Sequence, residues 1–191
     1  MKKYVIGIDY GTLSARAVLA DAENGSILPH TPTFPYPHGV MTELACKPLP
    51  SEFALQHPKD YTDALEFLIP ELVKKNGVDP KDIVGIGIDF TACTIFPLDE
   101  NREPLCFDKR FEAEPLAYSM LWKHRGADKY THLFEDAARK LYPYLLDMTG
   151  GRIAGEFFFP KLYEVYKEAP EVYKNASVFI NAGDHVASVL T

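Results

Sequence analysis

Cysteine is scarce in this sequence. Cys46, Cys93 and Cys106 are odd in number and show no C-x-x-C spacing, which argues against a disulfide framework or a zinc site and leaves reduced thiols as the expectation. Basic residues are also in deficit, with 20 Lys and Arg against 27 Asp and Glu and a net charge of -7. The densest basic run, Trp122-Lys123-His124-Arg125, is too short to track a phosphate backbone, so no nucleic-acid partner is expected. No apolar stretch approaches the roughly 20 residues that span a bilayer. Met1-Lys2-Lys3 leads at once into a strand-like run rather than an apolar signal segment. A cytoplasmic protein without a membrane partner is therefore expected. Two nucleotide signatures are missing as well: there is no G-x-x-x-x-G-K-[ST] loop and no G-x-G-x-x-G opening a helix. Gly85-Ile86-Gly87-Ile88 lies inside a strand-like segment, where glycines permit close backbone packing.

What is present is an ordinary soluble globular composition, 47% hydrophobic and 25% charged over 191 residues, enough for one domain with a sizeable core and a small appendage. The organising stretch is residues 4–20. Two short Val- and Ile-rich runs flank a polar tip of Asp, Gly, Thr and Ser, which reads as strand, tight turn, strand. A carboxylate at a strand end, Asp9, can hold a hydrated divalent metal. Gly11 lets backbone amides come close to a phosphate, and Thr12 and Ser14 add hydroxyl donors. The same residues would equally serve a plain hairpin turn, because Asp and Gly are favoured wherever a chain reverses.

Further along, residues 26–34 resume a strand whose two prolines place it at a sheet edge, completing an antiparallel meander. Residues 35–57 read as a long ordered loop. Asp60 is the expected N-cap of a helix with the stripe Tyr61, Ala64, Leu65, Leu68 and Leu72, ended by Asn76-Gly77. Residues 83–90 form the most apolar strand, expected to run parallel to the first and to be buried on both faces. Thr91-Ala92-Cys93-Thr94 at its carboxyl end is a second candidate site, since ligands bind there in open α/β sheets, or else a simple corner between strands. Residues 112–140 read as mostly helical. Trp122, the one tryptophan, is by type more often core than ligand platform, and His124 alone would be unremarkable.

The hairpin residues 7–16 and the segment Gly87-Ile88-Asp89-Phe90-Thr91-Ala92-Cys93-Thr94 resemble the amino-terminal domain of the FGGY carbohydrate kinases. Ala54-Leu55-Gln56-His57, Leu121-Trp122-Lys123-His124, Gly150-Gly151-Arg152-Ile153 and Phe158-Phe159-Pro160-Lys161 extend the likeness, in the order found in members that act on L-ribulose. The resemblance implies that residues 1–191 are one such domain. Its α/β fold would be ribonuclease H-like, as in actin-like ATPases, with a mixed sheet of three antiparallel strands followed by parallel ones and helices on both faces. It implies ATP and Mg2+ as cofactors and a ketopentose as small-molecule substrate, L-ribulose first and xylulose as the alternative. Asp9 would place the Mg2+, Gly11, Thr12 and Ser14 would face the ATP phosphates, and Arg16 would support the loop. An Arg-Glu pair binds the polyol in glycerol kinase-like members; here those positions are Ala92 and Cys93, which leaves room for a bulkier sugar. Trp122 would be the sugar platform with Lys123 and His124 nearby. The catalytic base and a second actin-like domain are expected beyond Thr191, and Asp184 is not assigned as a substitute. On that basis the isolated chain is expected to be inactive, and an apolar face left exposed would favour a homo-oligomer. The alternative from another class is a non-catalytic sugar-binding or degenerate fragment.

Overall fold

The computed structural model describes residues 2–191. In chain order the strands are β1 (Tyr4–Tyr10), β2 (Ser14–Asp21), β3 (Thr33–Pro35), β4 (Glu43–Leu44), β5 (Lys47–Pro48), β6 (Leu55–Gln56), β7 (Ile83–Phe90), β8 (Ile95–Leu98), β9 (Ser119–Met120) and β10 (Val178–Asn181). The helices are α1 (Lys59–Asn76), α2 (Thr131–Leu141), α3 (Tyr144–Met148), α4 (Phe158–Glu168), α5 (Pro170–Asn175) and α6 (Ala182–Val189). They assemble into two compact units. The first comprises residues up to Val40, His57–Thr91 and Gly183–Thr191; the second comprises Met41–Gln56 and Ala92–Ala182.

The first unit is built on a sheet in the order β3-β2-β1-β7. β1 and β2 pair antiparallel with Ile8 opposite Ala17 and Asp9 opposite Arg16, while β7 runs parallel to β1. Strand side chains alternate between faces, and Ile6, Ile8 and Tyr10 with Ala15, Ala17 and Leu19 are buried on one of them. Helix α1 covers that face with Tyr61, Ala64, Leu65, Leu68 and Leu72. Each leucine contributes about 2 kcal/mol of transfer free energy. Tyr10 stacks on Phe90 at 4.9 Å between ring centroids, and Tyr61 meets both rings edge-on. At the helix end Gly77 adopts a left-handed φ of 66° and caps the carbonyls of Lys74 and Val73.

Three expectations for this unit are corrected. Asp60 is not the N-cap. It lies inside the first turn, fully buried, and its two carboxylate oxygens accept from the Nδ1 (2.6 Å) and backbone N–H (3.2 Å) of His38. The edge strand shrinks to three residues because Pro29 and Pro32 interrupt the ladder, leaving one isolated bridge between Ala20 and Ile27. β7 is not buried on both faces: it lies at the edge of the sheet, and Val84 and Ile86 are 58% and 42% exposed.

The second unit carries an antiparallel sheet in the order β10-β8-β9-β6. Residues 35–57 are therefore more than a loop, since they supply β6 and the small hairpin of β4 and β5. Leu55, Ile95, Leu116, Met120, Val165 and Val172 belong to one continuous core. The expected helix over residues 112–140 starts only at Thr131. Before it, Pro115 opens a 3-10 turn and Ser119–Met120 becomes a strand, because pairing with Leu55 and Ile95 outweighs local helical propensity.

Candidate functional site

The two groups of candidate residues fall in different units, and each group has its own geometry. In the first unit the hairpin tip closes when the Gly11 N–H donates to the Ser14 carbonyl at 2.9 Å. A Cβ at Gly11 would stand 3.2 Å from that oxygen, so the tight approach of backbone to backbone favours glycine. Asp9 lies on the sheet face opposite Tyr10, and its register partner Arg16 donates from Nε (2.7 Å) and Nη2 (2.6 Å) to the same oxygen, Oδ2. Both side chains are substantially exposed, so the pair orients the carboxylate more than it stabilises the fold. Asp89 is the neighbour of Asp9 across the parallel pairing, and Gly7 and Gly87 lie level with each other one turn of the pleat away. These residues, with the apolar Ile8, Val18 and Ile88, line an open trough of about 420 Å3. Carboxylate and hydroxyl oxygens at Asp9, Thr12 and Ser14 are hard donors of the kind Mg2+ takes, and a backbone tip free of a Cβ at Gly11 suits a phosphate. Among the described residues no cluster of three or more His, Cys, Asp or Glu is placed to chelate a metal by itself.

In the second unit Trp122 is 44% exposed and borders a cavity of about 670 Å3. Lys123, Arg125, Asp128, Arg152 and Glu156 share its walls. Local packing dictates this arrangement. Arg125 donates to Asp128 at 2.7 Å, and Gly155 lies so close to Asp128 that a Cβ would meet its Oδ1 at 2.2 Å. The Ile153 N–H donates to Glu135 Oε1 at 3.1 Å, which ties the loop to α2. Sequence reasoning missed Arg152, Glu156, Asp128 and Glu135 as cavity residues; the Gly150-Gly151 turn, with φ of 70° and 85°, was the visible trace of that loop.

His124, expected near the sugar, is not among the residues that line this cavity. Its side chain is wholly buried behind the cavity wall, with Nε2 2.9 Å from Glu164 Oε2 and Nδ1 accepting from the Ala54 N–H at 3.4 Å. It fixes the turn that presents Trp122 and Lys123. Ala92 and Cys93 lie between β7 and β8, outside the lining of the Trp122 cavity. Cys93 has a φ of 57°, a left-handed conformation that a non-glycine residue adopts only when its surroundings hold it there. Its carbonyl accepts from Lys161 Nζ at 2.5 Å. Lys161 is fully buried on α4, and burial lowers its pKa from 10.5 to about 8.

Among the described residues no helix is long and apolar enough to cross a membrane. The family model for the FGGY family of carbohydrate kinases, N-terminal domain, matches residues 4–191. A ribulokinase of Geobacillus thermodenitrificans is 42% identical over 193 residues, covering 100% of this chain and 34% of its own length. Ribulokinase 1 of Staphylococcus saprophyticus is 43% identical over 189 residues, covering 98% of this chain and 35% of its own. The chain thus spans about a third of the length of these curated relatives. Among solved structures, a gluconate kinase from Lactobacillus acidophilus superposes with a TM-score of 0.72 at 22% identity, over 97% of this chain and 32% of that one. A xylulose kinase from the same organism gives 0.71 at 22% identity, over 96% and 32%. These neighbours establish the fold, a mixed α/β arrangement with antiparallel and parallel strands. From a match that runs from Tyr4 to Thr191, the chain belongs to the FGGY family of carbohydrate kinases and corresponds to their N-terminal domain.

Proposed function

We propose that residues 1–191 form the amino-terminal domain of a cytoplasmic ATP-dependent kinase that phosphorylates a ketopentose, with L-ribulose as the substrate. The observation that carries this reading is the identity of 42% or 43% to proteins named ribulokinase across essentially the whole chain. Roles follow residue by residue. Asp9 would hold a hydrated Mg2+ and Arg16 keeps its carboxylate oriented. Gly11 leaves the hairpin amides open to phosphate oxygens, to which Thr12 and Ser14 add hydroxyl donors. When bound, Mg2+ neutralises the charge that builds on the transferred phosphoryl group.

In the second unit Trp122 presents an aromatic face to the C–H face of a sugar, and Lys123 donates to its hydroxyls. The small side chains of Ala92 and Cys93 leave space that an Arg-Glu pair would fill. His124 holds this turn from behind. No side chain of these residues is assigned as the general base. That carboxylate and most of the nucleotide site belong, in this reading, to a second domain within the remaining two thirds or so of a relative's length. Calorimetric titration with L-ribulose, with xylulose in parallel, tests the sugar half. Saturable binding that prefers L-ribulose and weakens at least tenfold in Trp122→Ala is expected; no heat from folded protein would remove the sugar site from these residues.

A further inference from the structure

We propose that Lys161 is the positioning residue of the sugar half-site, a single buried ammonium that locks the Ala92-Cys93 corner and the Trp122-Lys123 turn to the same helix. The proposal rests on the assignment of those two segments to sugar binding. Lys161 Nζ donates to three backbone carbonyls: Cys93 at 2.5 Å, Leu121 at 2.6 Å and Met120 at 3.3 Å. An ammonium has three protons and no acceptor, so this donor set is fully used. Two of its acceptors belong to or directly adjoin the proposed site, since Cys93 is one of its residues and Leu121 precedes Trp122.

Three observations separate this arrangement from ordinary core packing. A methionine or leucine would fill the same space without the desolvation that burial of a charge demands. What only the ammonium supplies is convergence of carbonyls from separate segments, because carbonyl oxygens otherwise repel one another. The Cys93 carbonyl also belongs to a residue at φ 57°, so the bond restrains a conformation the backbone would otherwise relax. Finally, α4 grips the Trp122 turn at both ends. Lys161 holds the Leu121 carbonyl, and Glu164, less than one helical turn further on, holds His124 Nε2 at 2.9 Å. The turn itself is closed by the His124 N–H donating to the Leu121 carbonyl at 3.0 Å.

The sole tryptophan makes the idea measurable without a ligand. The titratable groups facing the ammonium are the Cys93 thiol, Glu156 and Glu164, the last paired with His124. Loss of a proton above pH 8 removes one donor and the charge, so Trp122 emission and acrylamide quenching should titrate between pH 7 and 10 in the unmodified chain. Cys93→Ser should keep that transition. Lys161→Met should abolish it, raise quenching at least twofold with unchanged far-UV circular dichroism, and weaken L-ribulose at least tenfold. A flat Trp122 signal across that pH range in the unmodified chain, which requires no variant to fold, would overturn the positioning role. So would a Lys161→Met protein with wild-type quenching. Absence of L-ribulose binding by the unmodified chain, with the Lys161-dependent Trp122 transition intact, would instead refute the sugar assignment.

Discussion

Gly126→Ala distinguishes packing from propensity by sign. Gly126 is buried in a 3-10 turn, and its φ is not in the left-handed region. Backbone reasoning alone therefore expects alanine to stabilise the protein by about 0.4–1 kcal/mol through a less disordered unfolded chain. The surroundings give the opposite answer. A Cβ at this position would lie 2.0 Å from Glu164 Oε1, 2.8 Å from His124 Nε2 and 2.9 Å from the Phe53 ring. Glu164 can retreat only by giving up its bond to His124, and both side chains are completely buried. Breaking a buried pair of this kind costs about 3–5 kcal/mol, so the net loss should be about 2–4 kcal/mol. Urea unfolding followed by Trp122 fluorescence and far-UV circular dichroism would show it as a midpoint lower by about 1–2 M, taking a slope of about 2 kcal/mol/M. Glu164→Ala removes the obstructing carboxylate, so Gly126→Ala in that background should cost markedly less, and the double-mutant cycle should be strongly non-additive. An unchanged or raised midpoint for Gly126→Ala would refute the argument that the His124–Glu164 pair excludes a side chain there.

Other outcomes follow from the same geometry. His57 stacks on His38 at 4.2 Å, and burial lowers its pKa from 6.5 to about 4. The unfolded chain therefore takes up this proton first on acidification, and stability should fall as pH drops from 6.5 towards 4; a shallower slope of melting temperature with pH in His57→Gln is the check. Ile86, 42% exposed on an edge strand, invites pairing between molecules, so Ile86→Lys should lower the scattering mass at high concentration. A sharp monomer in the unmodified chain would argue against that edge as a liability. A coupled ADP-release assay on the 191-residue chain with ATP, Mg2+ and L-ribulose should remain flat; sustained turnover would mean that a base lies within these residues.

The parts legible in the sequence are those decided by neighbours a few residues apart. The hairpin is one, because the alternation of Ile6, Ile8 and Tyr10 and the Asp-Tyr-Gly-Thr tip encode strands and a turn locally. Helix α1 is another, with its leucine stripe and Gly77. The structure of residues 112–130 is set from afar, against their local helical pattern: Met120 pairs with Leu55, and that partner has no local signature. In the sequence His124 reads as a surface imidazole beside basic residues, while the carboxylate it bonds in the interior lies 40 positions away. The apolar run of β7 suggested cover on two sides, yet apolar composition records what a strand can tolerate and not how many neighbours it has. Lys161 was visible only as part of a resemblance, since nothing in its flanking residues reveals three converging carbonyls.

The interleaving of the two units along the chain governs how they are made. A ribosome releases β1, β2 and β3 of the first sheet, then the hairpin and β6 of the second, before α1 and β7 return to the first. β6 must then wait for β9, more than 60 residues later, before its edge of the second sheet can close. Such long waits between partners slow folding and leave the early strands open to wrong pairings in the interval. Neither unit can be expressed as one uninterrupted segment, so dissecting this domain requires splicing or permuting the chain rather than simple truncation.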